Sequence, residues 1–211
     1  MRLPFTVSEF FDVFARYNAA VWPMQVVLLA LAVVSVLLTY ARWQHRSRAV
    51  SWILAILWIW TGLAYHVAHF AAINAAARLF GALCVAQGIL FAWLGARGPR
   101  LLFDRPAGVP GLVGWALVAY ALAVYPFLGW LSGHAYMASP TFGTPCPTTI
   151  FTFGLLWLAR RPVPRYALVV PLLWSAIGGS AAFVLGVRQD LGLVAAGLAT
   201  GYLLFAGRRT P

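Results

Sequence analysis

The sequence predicts an all-α fold: a polytopic membrane helical bundle of about seven transmembrane helices, preceded by a short N-terminal amphipathic surface helix. Three observations predict it. Of 211 residues, 63% are hydrophobic and 9% are charged, against roughly a quarter charged in an ordinary soluble domain. Seven apolar stretches recur along the chain. Between them, arginines alternate from one side of the predicted membrane to the other. The formal charge of +11 comes entirely from arginine among the basic residues. These arginines cluster between apolar spans instead of forming a basic stripe, so they read as topology signals and not as a nucleic-acid surface.

The chain divides into residues 1–19 and a single seven-helix domain over 20–211. In the first segment, Val7, Phe10, Phe11 and Phe14 recur at helical spacing, with Glu9, Asp12 and Arg16 on the other side. Thr6 and Glu9 fit a capping box. The expectation is an amphipathic helix on the outer membrane surface, with a lid over the bundle as the alternative. An early apolar run is lacking and acids fall in its place, which argues against a signal peptide.

The spans follow at about 20–41, 49–70, 75–96, 111–131, 147–159, 166–186 and 190–206, most of them near the roughly 20 residues a bilayer core needs. The loops after spans one, three and five and the tail carry eleven arginines: Arg42, Arg46, Arg48, Arg97, Arg100, Arg105, Arg160, Arg161, Arg165, Arg208 and Arg209. The other side carries four: Arg2, Arg16, Arg78 and Arg188. The arginine-rich side is therefore expected in the cytoplasm, with the N-terminus outside and the C-terminus inside. Gly178, Ala182 and Gly186 in span six, and Gly197 and Gly201 in span seven, predict a close helix pair. The tryptophans are expected mainly at the interface and facing lipid.

Chemically versatile residues gather on the outer side. His66 and His69, at the outer end of span two, lie one α-helical turn apart and so on one face. His134 follows span four and Cys146 precedes span five. Imidazole and thiolate together suit zinc or copper, so His66, His69, His134 and Cys146 form a candidate metal-ligand set. The plain alternative is histidines bonded to neighbours or headgroups. Tyr65, Asn74, Arg78, Tyr136, Thr148, Thr149 and Asp190 are the candidate pocket-lining residues around it. Arg78 either snorkels or pairs with Asp190 or an anionic ligand.

Span five holds only about 13 residues, roughly 20 Å of helix, which is short for the bilayer core. With Pro147 at its start, the segment 140–147 is expected to dip below the outer surface and end on an exposed helix N-terminus. Cys84 and Cys146 come out at similar depth, which leaves a disulfide as an alternative to plain packing.

The stretches Tyr-Asn-Ala-Ala-Val-Trp-Pro (17–23), Gly-Leu-Ala-Tyr-His-Val-Ala-His-Phe (62–70), Gly-His-Ala-Tyr (133–136), Pro-Thr-Phe-Gly-Thr-Pro-Cys-Pro-Thr-Thr-Ile-Phe (140–151) and Pro-Leu-Leu-Trp-Ser-Ala-Ile-Gly-Gly (171–179) resemble an uncharacterised family of bacterial multi-pass membrane proteins. The resemblance implies a bacterial membrane protein and brings no activity, substrate or cofactor with it; the inner membrane is the expected location.

Several functions are compatible with these residues. One is an outward-facing His/Cys-lined site that binds a metal ion or small solute, with transport as its extension. A second is a zinc-dependent membrane hydrolase acting at the outer interface. A third is a haem- or quinone-binding subunit, since two histidines on different helices can ligate one haem. A structural subunit is the fourth. The partners expected are the lipid bilayer and a small solute or metal ion, and the sequence assigns no oligomeric state.

Overall fold

The computed structural model describes residues 4–98, 100–104, 106–132, 136–160 and 162–206. Arg2, Arg105, His134, Arg161, Arg208 and Arg209 lie outside them. Among the described residues the fold is all-helical, with no β-strand. The helices are α1 (Val7–Val21), α2 (Met24–Tyr40), α3 (Arg46–Trp60), α4 (Ala77–Ala96), α5 (Val109–Ala119), α6 (Tyr125–Leu131), α7 (Pro145–Trp157), α8 (Val169–Val184) and α9 (Leu191–Ala206). A π-helix, Thr61–Val67, prolongs α3, and another, Tyr120–Val124, joins α5 to α6.

All seven apolar stretches are helical. Four continuous helical segments are long and apolar enough to cross a membrane, or five if α1 and α2, bent by 86°, count as one broken span. α7 and α9, with 13 and 16 residues, are shorter.

Two ends can be distinguished by their contacts. At one, Asp104 pairs with Arg46 at 2.9 Å and with Arg160 at 2.8 Å. The Arg160 amide donates to the Leu102 carbonyl, and the Asp104 amide to that of Leu158. Three loops predicted to share the arginine-rich side thus meet. At the other end, the α3–α4, α6–α7 and α8–α9 connections lie together under α1, around one cavity.

α1 begins in the predicted capping box. The Glu9 carboxylate accepts from the Thr6 amide at 2.7 Å, and the Glu9 amide donates to Thr6 Oγ1. The Thr6 backbone N–H, followed by its hydroxyl, holds the Glu9 carboxyl below the usual carboxylate range. The apolar face is rotated from the expected one. Phe10, Val13, Phe14, Tyr17 and Asn18 are buried, whereas Val7 is exposed. That face packs on Tyr65, Phe70, Ala77, Leu185 and Val187. The helix lies over the bundle as a roof, the alternative that the sequence left open.

α7 occupies the centre. Every one of its residues is buried except Cys146, which is half-buried. In a bilayer, apolar surface gains little by leaving lipid for protein, so close packing and interhelical hydrogen bonds must hold such a helix. The Trp58 indole donates to Thr152 Oγ1 at 2.9 Å, and the Trp157 indole to Thr200 Oγ1 at 3.0 Å. Gln87 Nε2 donates to the Ala167 carbonyl at 3.1 Å.

The closest backbone approach is between α3 with its π-helical extension and α4. A Cβ on Gly62 would lie 2.7 Å from the Gly81 carbonyl oxygen, and one on Gly88 would lie 2.8 Å from that of Ala55. The pair predicted from spans six and seven does pack, with Gly178 against Trp174 and Leu193, and Gly197 against Ser175. Gly186, however, lies beyond α8 at φ +73° with open space around it.

Gly62→Ala should destabilise the protein by about 1–3 kcal/mol through overpacking against backbone. Gly201→Ala, whose nearest neighbour would be 3.9 Å away, should stay within about 0.5 kcal/mol of wild type. Thermal unfolding in mild detergent checks both, and equal effects would refute the assigned α3–α4 contact. A double-mutant cycle over Trp58→Phe and Thr152→Val should return a coupling of about 0.6–1.7 kcal/mol.

Candidate functional site

The α1 roof is held by the Tyr17 hydroxyl, which accepts from the Trp60 indole at 2.8 Å, and by Asn18. Asn18 Nδ2 donates to the carbonyls of Met137 and Ser139 at 2.8 and 2.9 Å, and Asn18 Oδ1 accepts from Thr141 Oγ1 at 2.7 Å. The Asn18 carbonyl accepts from Gln25 Nε2 at 2.8 Å. Thr61 Oγ1 donates to the Gly143 carbonyl at 3.0 Å. Gly143, at φ +100°, supplies the left-handed turn that leads into α7. Irregular backbone inside the bundle is in this way supplied with partners by side chains of α1 and α3's extension.

Beneath the roof lies a cavity of about 350 Å³. Phe5, Phe10, Phe14, Phe70, Phe80 and Trp174 form much of its wall, and Tyr65, Asn74, Thr144, Cys146, Ser180 and Asp190 are its polar lining. The rings interlock. Phe10 meets Phe14 edge-on at 5.0 Å between centroids, Phe14 stacks on Tyr65 at 5.5 Å, and Phe5 meets Phe70 edge-on at 5.6 Å.

At the polar part, Asp190 is buried at the start of α9, and its Oδ1 accepts from the Tyr125 hydroxyl at 2.6 Å. Cys146 lines the same cavity as that carboxyl. Tyr120 donates to the neighbouring Gln189 carbonyl at 2.7 Å. Arg78 is exposed and makes no ion pair with Asp190. A buried carboxyl with no cationic neighbour is costly to ionise unless a ligand compensates it.

The histidines separate. In the π-helix the backbone bonds run from i to i+5, so the α-helical rule placing residues three apart on one face no longer applies. His66 is fully buried within an aromatic shell, its ring 4.9 Å from Trp174, 5.2 Å from Tyr65 and 5.9 Å from Phe80. Neither of its nitrogens has a hydrogen-bond partner among the described residues. His69 instead donates from Nδ1 to the Ala64 carbonyl at 2.7 Å and meets Tyr17 edge-on. His134 lies outside the described residues. Among the described residues, no three His, Cys, Asp or Glu side chains converge as a metal ion would require.

Four of the expected polar residues do meet, since Tyr65, Asn74, Cys146 and Asp190 all line the cavity. Thr148 and Thr149 are buried in the first turn of α7 and do not line it, and Thr149 Oγ1 is bonded to the Pro145 carbonyl. Tyr136 opens a short 3₁₀ turn, Tyr136–Ala138. Cys84 and Cys146 are both free thiols.

The helix N-terminus at α7 is poorer in donors than the sequence suggested. α7 starts at Pro145, and Pro147 stands two residues on, so the first and third positions have no N–H. The Thr148 amide already bonds to the Thr144 carbonyl. Phe10, Phe14, Asn18, Tyr125 and Trp174 are site residues that the sequence reading missed. Trp174 was expected at the lipid interface, yet it is buried. For α1, the wider spacing of Phe10, Val13, Phe14, Tyr17 and Asn18 was the available signal.

A larger groove of about 420 Å³ lies between α2 and α5–α6. It is bordered by exposed Val26, Leu29 and Trp130, as expected of a surface turned to lipid.

No curated protein and no solved structure matches the chain. A family model described as a family of unknown function, DUF6064, matches residues 7–211. That span contains every stretch that carried the resemblance, and residues from 17–23, 62–70, 140–151 and 171–179 build the cavity and its roof. The chain belongs to the DUF6064 family.

Proposed function

We propose that this protein is an integral inner-membrane protein with seven membrane crossings, its N-terminus outside and its arginine end in the cytoplasm, and that the cavity under α1 binds a small solute from the outer side. Transport is the natural extension of such a site. The observation that carries the reading is the cavity itself: an aromatic chamber of about 350 Å³, closed by a pinned helix, with a buried carboxyl and a thiol in its lining. Its size is at the lower end for small-molecule sites, and its mostly apolar wall with a few polar groups is typical of them.

The membrane placement is supported by the belt of exposed apolar residues, including Leu37, Leu79, Leu112, Phe183 and Leu198. A soluble monomer rarely presents so much apolar surface. α7, short and surrounded, fits a span whose outer end dips into protein. The resemblance implies a bacterial membrane protein, and the inner membrane is the expected location. An organic solute suits the lining better than zinc, copper or haem, because His66, His69 and Cys146 are directed to different neighbours.

The test is thiol accessibility. Membrane-impermeant maleimide applied to the outer face should label Cys146 and spare buried Cys84, with Cys146→Ala as the unlabelled control. Phe14→Ala, which removes one ring of the roof, should speed labelling several-fold. Labelling of Cys146 from the cytoplasmic face alone would refute the orientation. An inert Cys146 even in the Phe14→Ala protein would refute the open cavity.

A further inference from the structure

We infer that the ligand of the cavity under α1 is a small organic cation, an inference that rests on reading that cavity as a solute site. Among the described residues, the lining contains one carboxyl, Asp190, and no arginine or histidine. The Tyr125 hydroxyl from α6 bonds to this carboxyl, Tyr120 from the π-helix before it bonds to the adjacent Gln189 carbonyl, and Cys146 from α7 and Tyr65 from the extension of α3 line the same cavity. All four are neutral side chains in their ordinary protonation states near neutral pH. The arginines nearest in sequence to the cavity, Arg78 and Arg188, are exposed. Among the described residues the chamber therefore holds a buried acid and no countercharge.

The walls point the same way. Phe10, Phe14, Tyr65, Phe70, Phe80 and Trp174 surround the space, and aromatic rings attract alkylammonium groups through their quadrupole, most strongly when water is excluded. Two features work against an anion. Asp190 repels one whenever it is ionised, and α7 opens with prolines at its first and third positions, which leaves Cys146 as the single N–H donor of that opening. A neutral solute would gain from the rings but would leave the carboxyl uncompensated. A cation with an apolar body uses both.

The experiment compares benzyltrimethylammonium with neopentylbenzene, its uncharged isostere with carbon in place of nitrogen, on the full chain in lipid nanodiscs. The readout is the rate of maleimide labelling at Cys146 as a function of free compound concentration. The cation should protect Cys146 at a concentration at least tenfold below that needed by the isostere. In Asp190→Asn, which keeps the acceptor for Tyr125 and removes the charge, the two should come within about threefold of each other. The wild-type comparison stands by itself if that variant does not fold, and Trp174→Leu should weaken protection by the cation more than by the isostere. Equal protection in wild type would overturn the cation assignment and leave the solute site standing. Labelling that neither compound slows would overturn the assignment and count against the solute site as well.

Discussion

A bundle that contains irregular backbone must find partners for every carbonyl and amide in it, because lipid supplies none. In this protein that requirement falls on Asn18. Its amide nitrogen takes the carbonyls of Met137 and Ser139, its amide oxygen takes the Thr141 hydroxyl, and its own carbonyl takes Gln25. The arrangement ties α1, the start of α2 and the loop before α7 into one unit. The position of the roof, the path of the loop and the depth at which α7 begins all follow from it. Without a roof, the aromatic rings of α1 would have no reason to lie over Tyr65 and Phe70.

The same economy shows in the tryptophans. Trp58, Trp60 and Trp157 each give the indole N–H to a hydroxyl of another helix: Thr152, Tyr17 and Thr200. A large ring with one donor both fills space and cross-links helices where burial gains little by itself. The Trp174 indole N–H and both nitrogens of His66 are exceptions, without a partner among the described residues. His66 sits amid four rings, directly behind the wall to which Trp174 and Phe80 belong. That wall therefore has a polar group stored within it, not only hydrocarbon.

Much of this was legible from residues alone, and what was not has identifiable causes. The apolar stretches, the capping box at Thr6 and Glu9, and the grouping of the Arg46, Asp104 and Arg160 loops depend on local pattern or on charge, which a sequence displays directly. The meeting of Tyr65, Asn74, Cys146 and Asp190 was readable as shared depth. The histidine pair failed because a π-helix begins at Thr61 and nothing in Thr-Gly-Leu-Ala-Tyr-His-Val announces the change of winding. The inner face of α1 was misjudged because Val7 and Phe11 are as apolar as Val13 and Tyr17. Only the surface beneath the helix decides among them. Trp174 could not be separated from lipid-facing tryptophans for the same reason.

At the opposite end, Asp104 holds Arg46 and Arg160, residues that lie far apart in the chain. During synthesis the first arginine and the aspartate emerge well before the second arginine, which follows only after α7 has been made. The clamp is thus half-built while α7 is still absent, and its closure coincides with the arrival of the one helix that touches almost no lipid. A chain that inserts its helices in order would hold the place of α7 open between α3 and α5 until the central helix enters. Ribosome-bound intermediates ending before and after residue 160 would differ in the compactness of this end, which makes the clamp a marker for the arrival of α7, ahead of α8 and α9.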